Sequence, residues 1–320
     1  MSAAKKLFTC THFEVKGLRQ MKLDSLIEKA TQYEGNVVAV AAAEDEEVLE
    51  AVAGALKKNM ASFLLFGNSE KITQILNANH ADVASSDHLT IMHAETAALA
   101  AEMAVKSVKE KKASVLMKGN VPTAVILKAV LNKEYGLRTG SVLSHVAVFE
   151  VPNFDKFTIV TDAAMNIAPD LSQKAQITAN AVGIAKSIGV EMPKVAPIAA
   201  VEVVNPNMQA TLDAAALTQM NQRGQIKGCI VDGPLALDNA VSIEAAEHKG
   251  ITSDVAGQAD ILLVPTIEVG NALYKSLIYF AQAKVGAVIA GAKAPIVLTS
   301  RADSAESKLY SLALAICSAK

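Results

Sequence analysis

Three hundred and twenty residues, 30 basic and 32 acidic for a formal net charge of -2, suffice for one large domain or two ordinary ones. That balance offers no general nucleic-acid surface, and three scattered cysteines (Cys10, Cys229, Cys317) offer neither a disulfide framework nor a CxxC zinc pair. No run approaches the roughly 18 apolar residues of a membrane helix, since 285–298 is broken by Lys293 and Pro295. The start of the chain lacks the apolar stretch of a signal peptide, so the expectation is a soluble cytoplasmic protein with no membrane partner and no metal. With 56 alanines, 4% aromatic residues and no Trp, its core must be built from small aliphatic side chains. Only Arg19, Arg138, Arg223 and Arg301 are arginines, so an Arg in a structured turn is a candidate for bidentate recognition of phosphate or carboxylate.

In chain order, the β-branched run 37–42 predicts a buried strand. The acids Glu44, Asp45, Glu46 and Glu47 then suit a helix N-terminus; Val48, Leu49, Val52 and Leu56 keep helical period, and Lys57 and Lys58 close the last turn. The cycle repeats with strands at 62–66 and 89–92, a helix to about residue 77 and an Ala-rich helix to about 111. A strand at 115–117 ends in Lys118-Gly119-Asn120, and Pro122 opens the next helix. From about 139 the texture changes. Runs 142–151 and 157–160, joined by Pro152-Asn153-Phe154-Asp155, predict an antiparallel pair and the start of a second domain. Helices at 172–188, 208–222 and 239–249, strands at 195–203, 261–264, 287–290 and 296–298, and a last helix at 304–317 complete the alternation. The fold class is α/β, two-domain, with mostly parallel sheets and flanking helices.

Anions gather where strand ends meet helix N-termini, because unpaired N–H groups and the helix dipole favour them. Four such turns carry polar residues. In Lys118-Gly119-Asn120-Val121-Pro122-Thr123, Gly119 lets backbone approach an anion, Lys118 adds charge and Thr123 adds a hydroxyl; an ordinary turn uses the same residues. Asp162 and Asn166 either face a ligand or form an Asx turn. Asp232-Gly233-Pro234 forces a turn, and Asp238 suits the cap of a helix starting at Asn239. In Thr299-Ser300-Arg301-Ala302-Asp303-Ser304-Ala305-Glu306, an arginine stands at a strand end beside two hydroxyls, with Asp303 and Glu306 at capping-box spacing. After 261–264, residues Glu268, Asn271, Tyr274 and Lys275 follow at helical spacing; Asn271 and Lys275 share a face, while Tyr274 also suits the core. There is no GxGxxG, GxxxxGK[ST] or GxSxG, the six histidines lack HExxH spacing, and Cys229 lies on an apolar strand that reads as buried.

Together, Asp232-Gly-Pro-Leu-Ala-Leu-Asp-Asn-Ala-Val-Ser242, Val255-Ala-Gly-Gln-Ala-Asp260, Gly270-Asn-Ala-Leu-Tyr-Lys275 and Ala294-Pro-Ile-Val-Leu-Thr-Ser-Arg301 resemble the phosphate acetyltransferase and phosphate butyryltransferase family. The first stretch and Thr299–Ser304 look closer to the butyryl branch. The resemblance implies reversible transfer of a short acyl group between coenzyme A and phosphate, by direct attack in a ternary complex. Acyl-CoA, phosphate and acyl phosphate would be the partners, coenzyme A a co-substrate, and no cofactor tightly bound. It further implies a two-domain fold like that of the isopropylmalate dehydrogenases, with the active cleft between domains and a homodimer or larger assembly. The expected domains are 1–138 with 291–320, and 139–290.

By the same resemblance Ser300 and Arg301 fall on the pair that binds phosphate and the reacting carbonyl. A fixed cation and hydroxyl aimed at the oxyanion contribute roughly 10²–10³ in rate. The acetyl enzymes' general-base Asp falls on Ser307, leaving Asp303, Glu306 or a residue elsewhere as the base, and Ala302 stands where the acetyl enzymes carry a Gly. Lys118, Gly119 and Thr123 match the family turn near the coenzyme A or phosphate end, and Lys128 stands near a family Arg suited to a coenzyme A phosphate. Other readings are an acetyl or branched-chain acyltransferase, a nicotinamide-dependent dehydrogenase of the same fold, and an inactive acyl-CoA binder.

Overall fold

A computed structural model describes residues 21–298 and 303–319. Helix and strand alternate through α1 (Leu23–Ala30), β1 (Val37–Ala41), α2 (Glu46–Lys57), β2 (Ser62–Gly67), α3 (Ser69–Asn79), β3 (Leu89–His93), α4 (Ala97–Lys109), β4 (Val115–Lys118) and α5 (Thr123–Val130). The strands β5 (Ser144–Glu150) and β6 (Thr158–Thr161) then follow with no helix between them. Alternation resumes with α6 (Leu171–Ser187), β7 (Lys194–Pro197), α7 (Gln209–Gln222), β8 (Ile230–Val231), α8 (Leu237–Val241), α9 (Ile243–His248), β9 (Ile261–Leu263) and α10 (Ile267–Tyr279). The chain closes through β10 (Lys284–Ala290), β11 (Ile296–Val297) and α11 (Ala305–Ser318).

Among the described residues these strands form one sheet in the order β3-β2-β1-β4-β11-β10-β5-β6-β9-β7-β8. It is mostly parallel. The exceptions lie together at its centre, where β10 runs antiparallel to both β11 and β5, and β5 antiparallel to β6. The antiparallel pair expected after residue 139 is therefore present, with Ala147 opposite Val160.

One face of the sheet is covered continuously by α1, α2, α6 and α11, packed on Val38, Val40, Val146, Val148, Val288 and other small side chains. The opposite face carries two separate helix groups. Helices α4 and α5 pack on Ala39, Leu116, Ile289 and Ile296, while α8, α9 and α10 pack on Ala147, Phe149, Val160 and Val285. The central strands between these groups are the part of the sheet that a ligand can reach.

Local chemistry sets most element ends. Asp45 caps α2 by accepting from Val48 N–H at 3.0 Å, with Glu46 and Glu47 in the first turn. Asp170 and Gln173 form a reciprocal capping box at α6. Several expectations need correction. The strand expected over 195–203 ends at Pro197, because beyond the bridge between Ile198 and Leu235 it has no strand to pair with. The helix expected over 239–249 is two short ones: Ser242 leaves helical geometry and its hydroxyl caps Ala245 N–H at 3.2 Å. Asp238 is not a cap but lies in the first turn of α8, which begins at Leu237. At α11 the cap is Ser304, accepting from Ser307 N–H at 3.1 Å, rather than Asp303.

Candidate active site

A cleft of about 780 Å³ opens where the two helix groups part. Its floor is formed by the buried His145 on β5 and Val285 and Ile289 on β10, with the partly buried Leu298 after β11. One wall is Lys118 at the end of β4 with Thr123 at the start of α5; the other is Asn271, Tyr274, Lys275 and Ile278 along α10. Ala163, Ala164 and Met165 line it from the loop after β6, and Asp303, Ser304 and Ser307 from the start of α11. Two ammonium groups and a helix N-terminus thus share one opening with an apolar floor. That combination suits a substrate with a phosphate at one end and a short aliphatic chain at the other.

Of the residues singled out from sequence, Lys118, Thr123, Asn271, Tyr274, Lys275 and Asp303 line this cleft. Ser300 and Arg301 lie outside the described residues. Gly119 packs against the end of β1. Its N–H donates to Ala41 O at 2.8 Å, and a Cβ there would stand 2.1 Å from Ala42 O. Close approach to the end of β1 by itself requires glycine.

Asp162 is buried beneath the cleft loop, with its carboxylate directed at the protein. Oδ1 accepts from the N–H groups of Ala164 and Met165, both at 2.9 Å; Oδ2 accepts from Asn166 N–H at 3.1 Å and Asn166 Nδ2 at 2.5 Å. Asn166 Nδ2 also donates to Leu143 O at 2.8 Å. The two residues shape the loop that lines the cleft, which is the Asx-turn alternative. Lys128 is exposed on α5 and does not line the cleft. Glu306 does not line it either: its carboxylate pairs with Lys284 at 2.9 Å and accepts from Tyr310 Oη at 2.9 Å. Lys284 and the Tyr310 hydroxyl hold that carboxyl below its ordinary range. Arg138 is exposed, and its backbone bridges Ala292.

The sequence reading missed His145. Its ring meets Tyr274 edge to face at 5.7 Å between centroids, and Tyr274 meets Phe149 at 5.3 Å. Burial holds the imidazole below its ordinary 6.5, while the charges of Asp162 and Asp303 pull the other way. Burial, with Asp303 adding to it, pushes the Tyr274 phenol well above its ordinary value, so it stays a neutral donor. Polarity was the available signal. His145 occupies a core-facing position just before the apolar run Val146–Phe149, in phase with Ala147 and Phe149. Cys229 is buried, and its thiol is pushed up to about 11, which makes it a poor nucleophile.

The family model described as "Phosphate acetyl/butaryl transferase" matches residues 87–316. The chain belongs to this family. It is 61% identical over 300 residues to a Bacillus subtilis (strain 168) protein named "Probable phosphate butyryltransferase", covering 94% of this chain and 99% of that one. It is 52% identical over 292 residues to the phosphate butyryltransferase of Clostridium acetobutylicum, covering 91% and 96%. Among solved structures, a branched-chain phosphotransacylase from Enterococcus faecalis V583 superposes with a TM-score of 0.78 at 38% identity, over 89% of this chain and 99% of that one. The family membership makes the protein an acyltransferase. A second, lysine-rich hollow near Lys111, Lys112 and Lys293 lies at the other end of β4.

Proposed function

We propose that the protein transfers a butyryl group reversibly between coenzyme A and inorganic phosphate in the cleft between the two helix groups. The observation that carries this reading is the joining of Lys118 and Lys275 with the apolar floor of Val285, Ile289 and Leu298. The ammonium groups would hold phosphate oxygens, and the floor would take the aliphatic chain. Thr123, Asn271 and the neutral Tyr274 hydroxyl would orient the substrate. Ser300 and Arg301 would meet the phosphate and the developing oxyanion. The thioester and the phosphate react directly, so no activated nucleophile of the protein is required and no tightly bound cofactor enters.

The domain division belongs to the same proposal: 1–138 with 291–320, and 139–290. Pairing of β11 with β4 and packing of α11 on α1 and α2 support it. A cytoplasmic homodimer or larger assembly is also proposed. On α10 only Gly270 is fully buried, while Val269, Tyr279 and Phe280 stand exposed, leaving an apolar surface that a second copy would cover.

Release of coenzyme A thiol from butyryl-CoA, with and without phosphate, tests the activity. Phosphate-dependent release is expected, and phosphate-independent release would overturn the reading. A rate series over acetyl-, propionyl-, butyryl-, isobutyryl- and valeryl-CoA tests the chain length, with butyryl-CoA expected to be the fastest. Arg301→Ala should lower turnover by about a hundredfold or more.

A further inference from the structure

Transfer of an acyl group from phosphate to a thiol must move one proton, and by the resemblance above Ser307 stands where the acetyl enzymes carry a general-base Asp. Glu306 is committed to Lys284 and Tyr310, and Tyr274 holds its own proton. Among the described residues of the cleft wall, His145 stands beside Asp303 as a second proton acceptor. His145 Nδ1 is enclosed by protein and has no hydrogen-bond partner among the described residues, although the ring forms part of the cleft surface. Buried polar atoms are nearly always paired, so the unpaired nitrogen marks a polarity that packing alone does not use, and the ring edge on the cleft surface is where a substrate can meet it.

The geometry points to His145 as the group that carries the proton between the coenzyme A sulfur and the phosphate, which makes it a catalytic residue of this chain. The inference rests on the acyl-transfer reading above. In the direction from butyryl phosphate, the sulfur–carbon bond forms as the thiol proton passes to the imidazole. The carbon–oxygen bond to phosphate then breaks, and the imidazolium gives the same proton to the departing phosphate oxygen. Butyryl-CoA and hydrogen phosphate result, and the imidazole is restored. In the reverse direction hydrogen phosphate supplies the proton and the leaving sulfur receives it. The ring must start uncharged in both directions.

The surroundings fit that cycle. Asp162 lies beneath the loop beside the ring, Asp303 faces it from the start of α11, and Tyr274 stands against it on α10. Lys118 and Lys275 line the same cleft from β4 and α10. Burial favours the uncharged ring at rest, and the two carboxylates steady the imidazolium when it forms.

The experiment is the rate of butyryl-CoA formation from butyryl phosphate and coenzyme A, measured from pH 5 to 9. The native protein, His145→Gln and Asp303→Asn are compared; substrate titrations are common to all three. His145→Gln should lower kcat by about a hundredfold or more while KM for both substrates stays within about threefold, and should lose the acid limb below pH 6.5. Asp303→Asn should keep that limb and move it to lower pH, because removing a negative charge weakens the base. A His145→Gln protein within about threefold of native and with its acid limb intact would overturn the assignment. So would loss of the limb in Asp303→Asn alone. If His145→Gln does not fold, an unshifted limb in Asp303→Asn overturns it. Native protein that makes no butyryl-CoA at all instead overturns the acyl-transfer reading, so the two failures are separable.

Discussion

Lys308 Nζ lies 2.7 Å from the carbonyl oxygen of Asp303, tying the second turn of α11 back to the segment that enters the cleft. The same ammonium, only 2% exposed, is 2.6 Å from Glu47 on α2. A buried charge is tolerated here because it makes two strong hydrogen bonds. Lys308→Met, which keeps the length of the stem, should lower the unfolding free energy by about 1–3 kcal/mol in urea titration. Glu47→Gln should cost less than about 1 kcal/mol, since Glu47 is half exposed and its side of the pair is screened by solvent. Equal effects from the two substitutions would contradict this division.

Asp162 anchors the loop by accepting four hydrogen bonds, three of them from backbone N–H groups. Asp162→Ala leaves those donors without their charged acceptor and should cost about 3 kcal/mol in denaturant unfolding. Because Ala163, Ala164 and Met165 line the cleft, KM for both substrates should rise in the folded variant. An unchanged KM with unchanged stability would mean that the loop holds its shape without the carboxylate.

The alternation of strands and helices was legible wherever apolar period and end signals agreed. For α2 the acids of the first turn, the buried stripe and the closing lysine all point one way. Helix α1 went unread although Leu23, Leu26, Ile27 and Ala30 are spaced for one buried face. It is eight residues long and its cap position is Lys22, which makes no side-chain cap, so the usual start signal is missing. In the site, Lys118, Thr123, Asn271, Tyr274 and Lys275 could be found because strand-end and helix-face logic is local. His145 could not be found that way. Its role depends on β5 lying beside β10, in a register that sets His145 opposite Ile289, and on a gap between helix groups distant in sequence. Glu306 misled for the mirror reason, since its partner Lys284 is on another element.

Glycine substitutions separate contact from flexibility. At Gly270 on α10, an added Cβ would stand 2.6 Å from Asp162 O and 2.9 Å from Ala163 Cα, both parts of the cleft loop. Gly270→Ala should therefore push α10 off that loop, lowering stability by about 1–3 kcal/mol and lowering turnover. Gly183 is exposed within α6, and an added Cβ there meets nothing within 4 Å. Gly183→Ala should raise the unfolding free energy by about 0.5–1 kcal/mol through helix propensity and leave turnover unchanged. Thermal unfolding with an activity assay on the same samples reads both outcomes.

The buried imidazole also fixes how stability should respond to acid. Burial lowers the folded-state affinity of His145 for a proton relative to the ordinary 6.5, whereas the unfolded chain protonates near that value. As pH falls below about 6.5 the unfolded chain binds a proton that the folded ring refuses, so unfolding becomes progressively more favourable. The stability associated with this ring is fully present above pH 6.5 and declines until the folded-state value is reached. The contribution is at most one proton, about 1.4 kcal/mol per pH unit within that window. Urea unfolding of the native protein and His145→Gln between pH 5 and 8 should show a steeper acid decline for the native protein. Parallel curves would mean that the ring takes up its proton in the folded protein as readily as in the unfolded chain.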